Sequence, residues 1–159
     1  MKTVSKKIVL LGDEEVGKTS LVKQYVHGIF NDEYLTTIGI KISKKTVQVG
    51  DVLVNLMLWD IAGNMMSKTL YNNYLHGAHG IFFVCDAMRP DTYENIIHER
   101  QKQLTNNFDS ATTSIIINKS DLISGNPKEH LSNYEYDFLT SAKEGLNVNL
   151  AFQKMAESV

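Results

Sequence analysis

The amino-acid sequence predicts an α/β fold in which a mostly parallel six-stranded sheet is flanked by helices. Apolar runs rich in β-branched residues alternate with helix-length segments along the chain, and this order is typical of βαβ units with a parallel sheet. A glycine-containing run, residues 12–19, joins the first apolar run to the first helical segment. Ligands of parallel sheets bind beyond the carboxyl ends of the strands, so this run is the first candidate site.

Six short apolar runs are the predicted strands. The second and third are joined by Val49, Gly50 and Asp51, which indicates an antiparallel hairpin. Helical segments separate most of the remaining runs, which indicates parallel pairing. The predicted strands span residues 8–11, 38–49, 53–59, 81–85 and 114–117, with a short sixth strand near Phe138.

Four segments have the periodicity or the start signals of helices. Pro90 precedes Asp91 as a start signal for the third segment, and the fourth carries apolar residues at roughly helical spacing. The predicted helices span residues 17–27, 67–76, 91–107 and 147–158.

Length and composition indicate a single domain over residues 1–159. The 43% hydrophobic and 21% charged contents are those of an ordinary soluble globular protein. The net charge of −2 gives no electrostatic basis for binding nucleic acid. The single cysteine, Cys85, excludes an internal disulfide and is predicted to be buried, and no apolar run reaches the length of a membrane span.

Residues 12–19 fit the pattern G-x-x-x-x-G-K-[ST], the loop that wraps nucleotide phosphates. Its glycines allow backbone N–H groups to turn inward as a nest for phosphate oxygens. The helix that begins near Gly17 adds its positive N-terminal end. Lys18 supplies a point charge, and the Thr19 hydroxyl is a natural Mg²⁺ ligand.

A second pattern, N-K-x-D, follows the predicted fifth strand as Asn118, Lys119, Ser120 and Asp121. The Asp121 carboxylate can accept hydrogen bonds from guanine N1–H and from the exocyclic amine, whereas adenine offers no such donor pair on that edge. Lys119 can lie over the base plane, and Asn118 can tie this loop to the phosphate loop. The pattern therefore favours a guanine nucleotide.

Together with three further motifs, these patterns resemble the Ras superfamily of small GTPases, and the Rab branch most closely, over nearly the whole chain. Residues 35–40 resemble the first switch of Rab proteins, residues 58–63 resemble the W-D-x-A-G motif that opens the second switch, and residues 141–143 match the S-A-K loop. The resemblance implies a P-loop G-domain fold, with GTP or GDP and Mg²⁺ as cofactors.

The resemblance also implies individual residue roles. In the family the Ala142 N–H would contact guanine O6, and an aromatic at Phe30 would lie against the guanine edge. The implied metal ligands are Thr19, Thr37 and, through water, Asp60. The implied catalytic residues are Lys18, Gly63 and Asn64. The implied nucleotide contacts are Glu14, Glu15, Val16, Gly17, Lys18, Thr19, Ser20, Phe30, Thr37, Gly63, Asn118, Lys119, Asp121, Ser141, Ala142 and Lys143.

Three features depart from the family pattern. Asn64 stands where the family has glutamine, and Glu14 and Glu15 stand where it is usually small or neutral. Both departures predict slow GTP hydrolysis. Only 19 residues separate Asp121 from Ser141, several fewer than in most family members, so the fourth helix is predicted to be shortened or missing.

The predicted function is a molecular switch of the Rab type, acting in vesicle trafficking. Mg²⁺ and GTP would order the segments around Thr37 and Gly63, and hydrolysis would release them. An effector, an exchange factor and an activating protein would bind residues 36–40 and 63–70. The alternative is a hydrolysis-deficient scaffold that holds GTP or GDP as a module of a larger protein. The N-K-x-D motif disfavours a third class, the P-loop kinases and ATPases.

The expected location is cytoplasmic, since the sequence carries no signal peptide. Rab proteins end in a tail with prenylated cysteines, and residues 1–159 contain no such anchor. Membrane association is therefore expected only if a lipidated tail lies beyond Val159.

Overall fold

The computed structural model describes residues 1–31, 39–65, 71–105 and 110–159. The strands are β1 Lys2–Leu11, β2 Ile40–Val49, β3 Val52–Ile61, β4 Gly80–Asp86, β5 Thr112–Asn118 and β6 Phe138–Leu139. The helices are α1 Lys18–His27, α2 Tyr71–Leu75, α3 Pro90–Thr105, α4 Pro127–His130 and α5 Val148–Ser158. Two 3₁₀ turns cover Gly63–Met65 and Ser120–Leu122.

The strands form one six-stranded sheet in the order β2-β3-β1-β4-β5-β6. β2 and β3 pair antiparallel as a hairpin, and the other pairs are parallel. The predicted fold class and the predicted hairpin are therefore confirmed. The carboxyl ends of β1, β3, β4 and β5 meet at one edge of the sheet, which is where the loops of the candidate site begin.

β1 is longer than predicted. It starts at Lys2 instead of residue 8, because its polar first half pairs with β3 from Lys2 opposite Val52 onward. A strand whose residues alternate in burial gives no continuous apolar run, so the apolar run marked only the fully buried half, Ile8 to Leu11.

The remaining boundaries agree with the prediction to within about two residues where the structure describes them. Positions 38, 67–70 and 106–107 of the predicted elements lie outside the described residues. The shortened fourth helix is confirmed: α4 is a single turn of four residues, and the side chain of Asn126, directly before it, caps the Lys128 N–H. Every helix in the described part of the chain is too short or too polar to cross a bilayer.

Two apolar layers cover the faces of the sheet. On one face α1 and α5 pack together, and the rings of Tyr25 and Phe152 stack at 4.2 Å between centroids. On the other face α3 packs through Ile96 against β4. Cys85 is buried in this second layer as predicted, and its burial raises the pKa of the thiol to about 12. The central strands are thus held rigidly beneath the loops at their carboxyl ends.

Candidate functional site

The phosphate loop packs directly onto the ends of β4 and β5. A Cβ atom on Gly12 would lie 2.2 Å from the Val84 carbonyl oxygen, and one on Gly17 would lie 2.3 Å from Asn118 Nδ2. Gly17 also has φ 103, a conformation that side-chain-bearing residues rarely adopt. Only glycine fits at these two positions, and the loop is consequently held close to both strands.

Lys18 lies beneath this loop and is only 5% exposed. Its Nζ donates to the Gly12 carbonyl at 2.7 Å and to the Asp13 carbonyl at 2.9 Å. Burial lowers the pKa of Lys18 to about 8, although the negative charges of Asp60, Asp13 and Glu14 oppose this shift. The ammonium group is therefore poorly solvated and well placed to gain from an anion in the loop.

We expect nucleotide affinity to fall as the pH rises through the pKa of Lys18. Phosphate oxygens beside Nζ favour its charged form, so binding takes up a proton once the pH exceeds about 8. Between about pH 7 and about pH 8.5 the affinity should drop roughly fourfold. Calorimetric titration in two buffers of different ionisation enthalpy measures the proton uptake. The pH range of this experiment ends before guanine itself ionises.

Folding stability of the nucleotide-free protein should respond to pH in the opposite sense. The folded pKa of Lys18 lies below the ordinary value of 10.5, so the unfolded chain binds more protons between these two values. The contribution of Lys18 to stability therefore rises with pH in that window. An affinity that stays constant to about pH 8.5, with no proton uptake, would contradict this reading of Lys18.

Thr19 at the start of α1 and Asp60 near the end of β3 form a partly buried oxygen pair. Thr19 Oγ1 donates to Asp60 Oδ2 at 2.5 Å, and Asp60 is 1% exposed. Asp60 Oδ1 is buried with no hydrogen-bond partner among the described residues. Burial raises the pKa of the Asp60 carboxyl, while the Thr19 hydrogen bond and the Lys18 charge oppose the rise. A buried, incompletely paired carboxylate beside a hydroxyl fits Mg²⁺, which prefers oxygen ligands.

Asn118 ties three segments together at the end of β5. Its Nδ2 donates to the Val16 carbonyl at 3.0 Å, 102 positions away in the chain. Its Oδ1 accepts from Thr140 Oγ1 at 2.9 Å and from the Ala142 N–H at 3.2 Å. The predicted tie between the N-K-x-D loop and the phosphate loop is present. The Ala142 N–H already has a protein acceptor, so a contact with guanine O6 would have to share it.

Asp121 lies in the 3₁₀ turn after Asn118 and faces the S-A-K loop. Ser141 Oγ donates to Asp121 Oδ1 at 2.7 Å, and Ser141 Oγ in turn accepts from the Glu144 N–H at 3.0 Å. Lys119 precedes this turn with φ 67, and its Nζ pairs with Asp86 Oδ2 at 2.9 Å. One hydrogen bond orients the Asp121 carboxylate and leaves it further acceptor capacity.

The other predicted site residues lie at the start of α1, just beyond α1, after β3 and in the S-A-K loop. Gly63 packs on it, since a Cβ there would lie 2.3 Å from the Glu14 backbone nitrogen. Asn64 follows in the 3₁₀ turn and is exposed. Phe30 is 37% exposed just beyond α1. The remaining predicted contacts are Ser20, partly buried at the start of α1, and Lys143, exposed in the S-A-K loop.

Glu14 and Glu15 are both exposed, and Glu15 has φ 63. A left-handed conformation is unfavourable for a residue with a Cβ, so the loop carries backbone strain at Glu15. Thr37, a predicted metal ligand, lies outside the described residues, as do residues 36–38 and 66–70 of the predicted partner surface.

Sequence analysis missed two residues that contact the phosphate loop, Arg89 and Asn95, and a third, Asp86, that holds Arg89 in place. Arg89 Nη2 donates to the Glu14 carbonyl, Asn95 Nδ2 donates to Asp13 Oδ2, and Asp86 holds the Arg89 guanidinium. Asp86 follows directly on the apolar run 81–85. A polar residue at the carboxyl end of a buried strand was therefore an available signal for Asp86, whereas no local pattern marks the other two.

Comparison with known proteins agrees with this arrangement. A sequence model of the Ras family matches residues 7–159. The Ras-related protein Rab-1A of Dictyostelium discoideum is 30% identical over 160 residues, which cover 96% of this chain and 79% of that protein. The chain therefore belongs to the Ras family and is a small GTPase of that family, close to the Rab proteins.

Proposed function

We propose that this protein is a Rab-like molecular switch that binds GTP and GDP with Mg²⁺, hydrolyses GTP slowly and acts in vesicle trafficking. Family membership supports GTP binding and GTPase activity in general. Guanine selectivity, the metal and the slow rate rest on named residues, and the role in trafficking rests on the similarity to Rab-1A.

One observation carries the choice of guanine. Asn118 bridges the phosphate loop and the S-A-K loop, and Ser141 orients the Asp121 carboxylate beside them. A nucleotide whose base is bound at Asp121 would therefore direct its phosphates toward the phosphate loop, to which Val16 belongs. Guanine presents two donors to such a carboxylate, and adenine presents none in that arrangement.

The chain's own residues support metal-assisted hydrolysis with a weak positioning step. Thr19 and Asp60 would hold Mg²⁺, which neutralises phosphate charge when it is bound. Lys18 offers its ammonium group to the phosphate oxygens. Asn64, next to Gly63 at the rim of the loop, would orient the attacking water with an amide.

The similarity to Rab-1A supports a role in trafficking through partner binding. We propose that an effector, an exchange factor and an activating protein bind residues 36–40 and 63–70. A pull-down with the GTP-loaded and the GDP-loaded protein tests this proposal. Partners captured equally well by both forms would contradict a switch.

The function is tested by two measurements on the same preparation. The first compares the affinities for GTP, GDP and ATP with and without Mg²⁺. The affinity for GTP should exceed the affinity for ATP by several orders of magnitude. The second is single-turnover hydrolysis of bound GTP, which should be detectable but slow. Tight GTP binding with no turnover would indicate a hydrolysis-deficient scaffold, and equal ATP and GTP affinities would refute guanine selectivity.

We expect the paired change Glu14→Gly/Glu15→Gly to tighten nucleotide binding, and GTP more than GDP. The two carboxylates repel phosphates, and the triphosphate carries more charge. Because both side chains are exposed, water screens the repulsion to about 1 kcal/mol, or roughly fivefold in Kd for GTP. The gain should shrink as salt is added.

The matched control Glu14→Gln/Glu15→Gln removes the charges and keeps the Cβ atoms. It should give most of the affinity gain. It keeps a Cβ atom at position 15, however, so the strain of the left-handed backbone there remains. The glycine variant alone should gain thermal stability from relief of that strain. Wild-type affinity in both double variants would show that the carboxylates do not act on the phosphates.

A further inference from the structure

Asp86 is a buried hub at the end of β4. Its Oδ2 receives Lys119 Nζ at 2.9 Å and Arg89 Nε at 3.2 Å, and its Oδ1 accepts from the Met88 N–H at 2.9 Å. Burial disfavours its charge, but the hydrogen bonds from Lys119, Met88 and Arg89 and the charge of Lys119 hold the pKa of Asp86 below its ordinary value. The hub therefore joins the N-K-x-D loop to Arg89.

Arg89 extends from this hub to the back of the phosphate loop. While Nε is bound to Asp86, Nη2 donates to the Glu14 carbonyl oxygen at 2.7 Å. From α3, Asn95 Nδ2 donates to Asp13 Oδ2 at 2.7 Å. Two side chains thus hold two successive residues of the loop from outside, immediately before Glu15 with its left-handed backbone.

The charge of Arg89 also reaches the phosphate site. Arg89 Nη2 lies 2.7 Å from the Glu14 carbonyl oxygen, which places the guanidinium charge beside the acidic loop. A fixed cation beside the loop favours an anion that is bound in it. The loop carries three carboxylates, so a nearby fixed cation offsets part of their repulsion.

We propose that Arg89 is a positioning residue for nucleotide binding, which holds the acidic phosphate loop in its anion-binding conformation through the Glu14 carbonyl and offsets the charge of Glu14 and Glu15. The inference rests on the proposed function, because it requires a phosphate ligand in the loop. Asp86 orients the Arg89 guanidinium and links it to Lys119. The planar fork of arginine reaches both partners at once, which the single ammonium of lysine does not.

The test compares Arg89→Ala and Arg89→Lys with the control Lys128→Ala, which removes one exposed positive charge from α4. Dissociation rates and Kd values for GTP and GDP are measured at low and moderate salt. Arg89→Ala should raise the Kd for GTP about tenfold, with a smaller rise for GDP. Arg89→Lys should lie between Arg89→Ala and wild type, and Lys128→Ala should match wild type.

A double-mutant cycle separates this role from a merely structural one. In the Glu14→Gly/Glu15→Gly background the loop carries neither the two charges nor the strain, so Arg89→Ala should raise the Kd for GTP less than about threefold. An equal loss in both backgrounds, or Arg89→Ala within about twofold of wild type, would overturn the proposal. The Arg89 side chain is 38% exposed, so the variants should fold, and thermal melting verifies this.

The proposed function is judged on the wild-type protein alone, by its GTP to ATP preference. Failure of that preference would refute guanine selectivity without bearing on Arg89, since Arg89 acts on the phosphate loop. Conversely, the GTP to ATP preference should survive in Arg89→Ala even as the affinity falls. Loss of the GTP to ATP preference in Arg89→Ala would indicate that Arg89 acts on the base, and this result would also overturn the positioning role.

Discussion

Asp121→Asn should lower guanine-nucleotide affinity by roughly 10²- to 10⁴-fold, since each unpaired buried donor costs about 1–3 kcal/mol. The asparagine oxygen can keep the hydrogen bond from Ser141. Its NH₂ group then faces the N1–H and amine donors of guanine, so donors meet donors. Xanthine presents an acceptor in place of the guanine amine, and its nucleotides should gain relative affinity. Competitive binding of GDP and xanthosine diphosphate measures both changes.

Ser141→Ala is the matched control for Asp121→Asn. It removes the hydroxyl that orients the carboxylate but leaves the carboxylate itself. The expected loss is about 1 kcal/mol, with no gain for xanthine. If Asp121→Asn lost affinity for both bases equally, the effect would be a general disturbance of the loop and Asp121 would not read the base.

Asn64→Gln should raise the single-turnover rate of GTP hydrolysis by up to ~10²-fold. Asparagine carries the same amide as glutamine on a stem one methylene shorter, so its reach falls about 1.5 Å short. A misplacement near 1 Å at the reacting centre can lower a rate by ~10²-fold. Because Asn64 is exposed in the turn Gly63–Met65, the longer side chain should be accommodated without disturbing the core.

One further variant at this position tests whether the amide acts on water. Asn64→Ala removes the amide and should lower the rate below that of the wild type, whereas GDP affinity should stay unchanged in all three proteins. A rate that does not rise in Asn64→Gln would show that Asn64 does not limit turnover. The acidic loop at Glu14 would then be the next candidate, since Gly63 packs on the Glu14 backbone.

The site was predictable where its chemistry is local in the chain. The phosphate loop was predictable from the spacing of Gly12, Gly17 and Lys18. The backbone turn at Gly17 and the start of α1 at Lys18 lie next to each other in the chain, so a short sequence pattern describes both. The N-K-x-D pattern was recognisable for the same reason, since its four residues are consecutive in the chain. Its position directly after a buried strand placed Asp121 at the correct edge of the sheet.

Long-range contacts were predictable only in outline. The tie between Asn118 and the phosphate loop followed from the two motifs together, but its acceptor, the Val16 carbonyl, emerged from the packing of the loop on β5. The polar half of β1 was missed because hydrogen-bonded pairing with β3, and not a run of apolar residues, extends the strand back to Lys2. Strand pairing is a tertiary interaction that apolar runs do not encode.

By itself the sequence determined the α/β order of elements and the hairpin, because each depends on neighbours in the chain. The short spacing between Asp121 and Ser141, compared with that of the family, predicted the short fourth helix. Only the tertiary structure decided how Asp86, Arg89 and Asn95 support the acidic loop. Arg89 and Glu14 are 75 positions apart, and they meet because β1 and β4 are adjacent strands in the sheet. Sequence spacing carries no information on such a distance until the sheet order brings the two strands together.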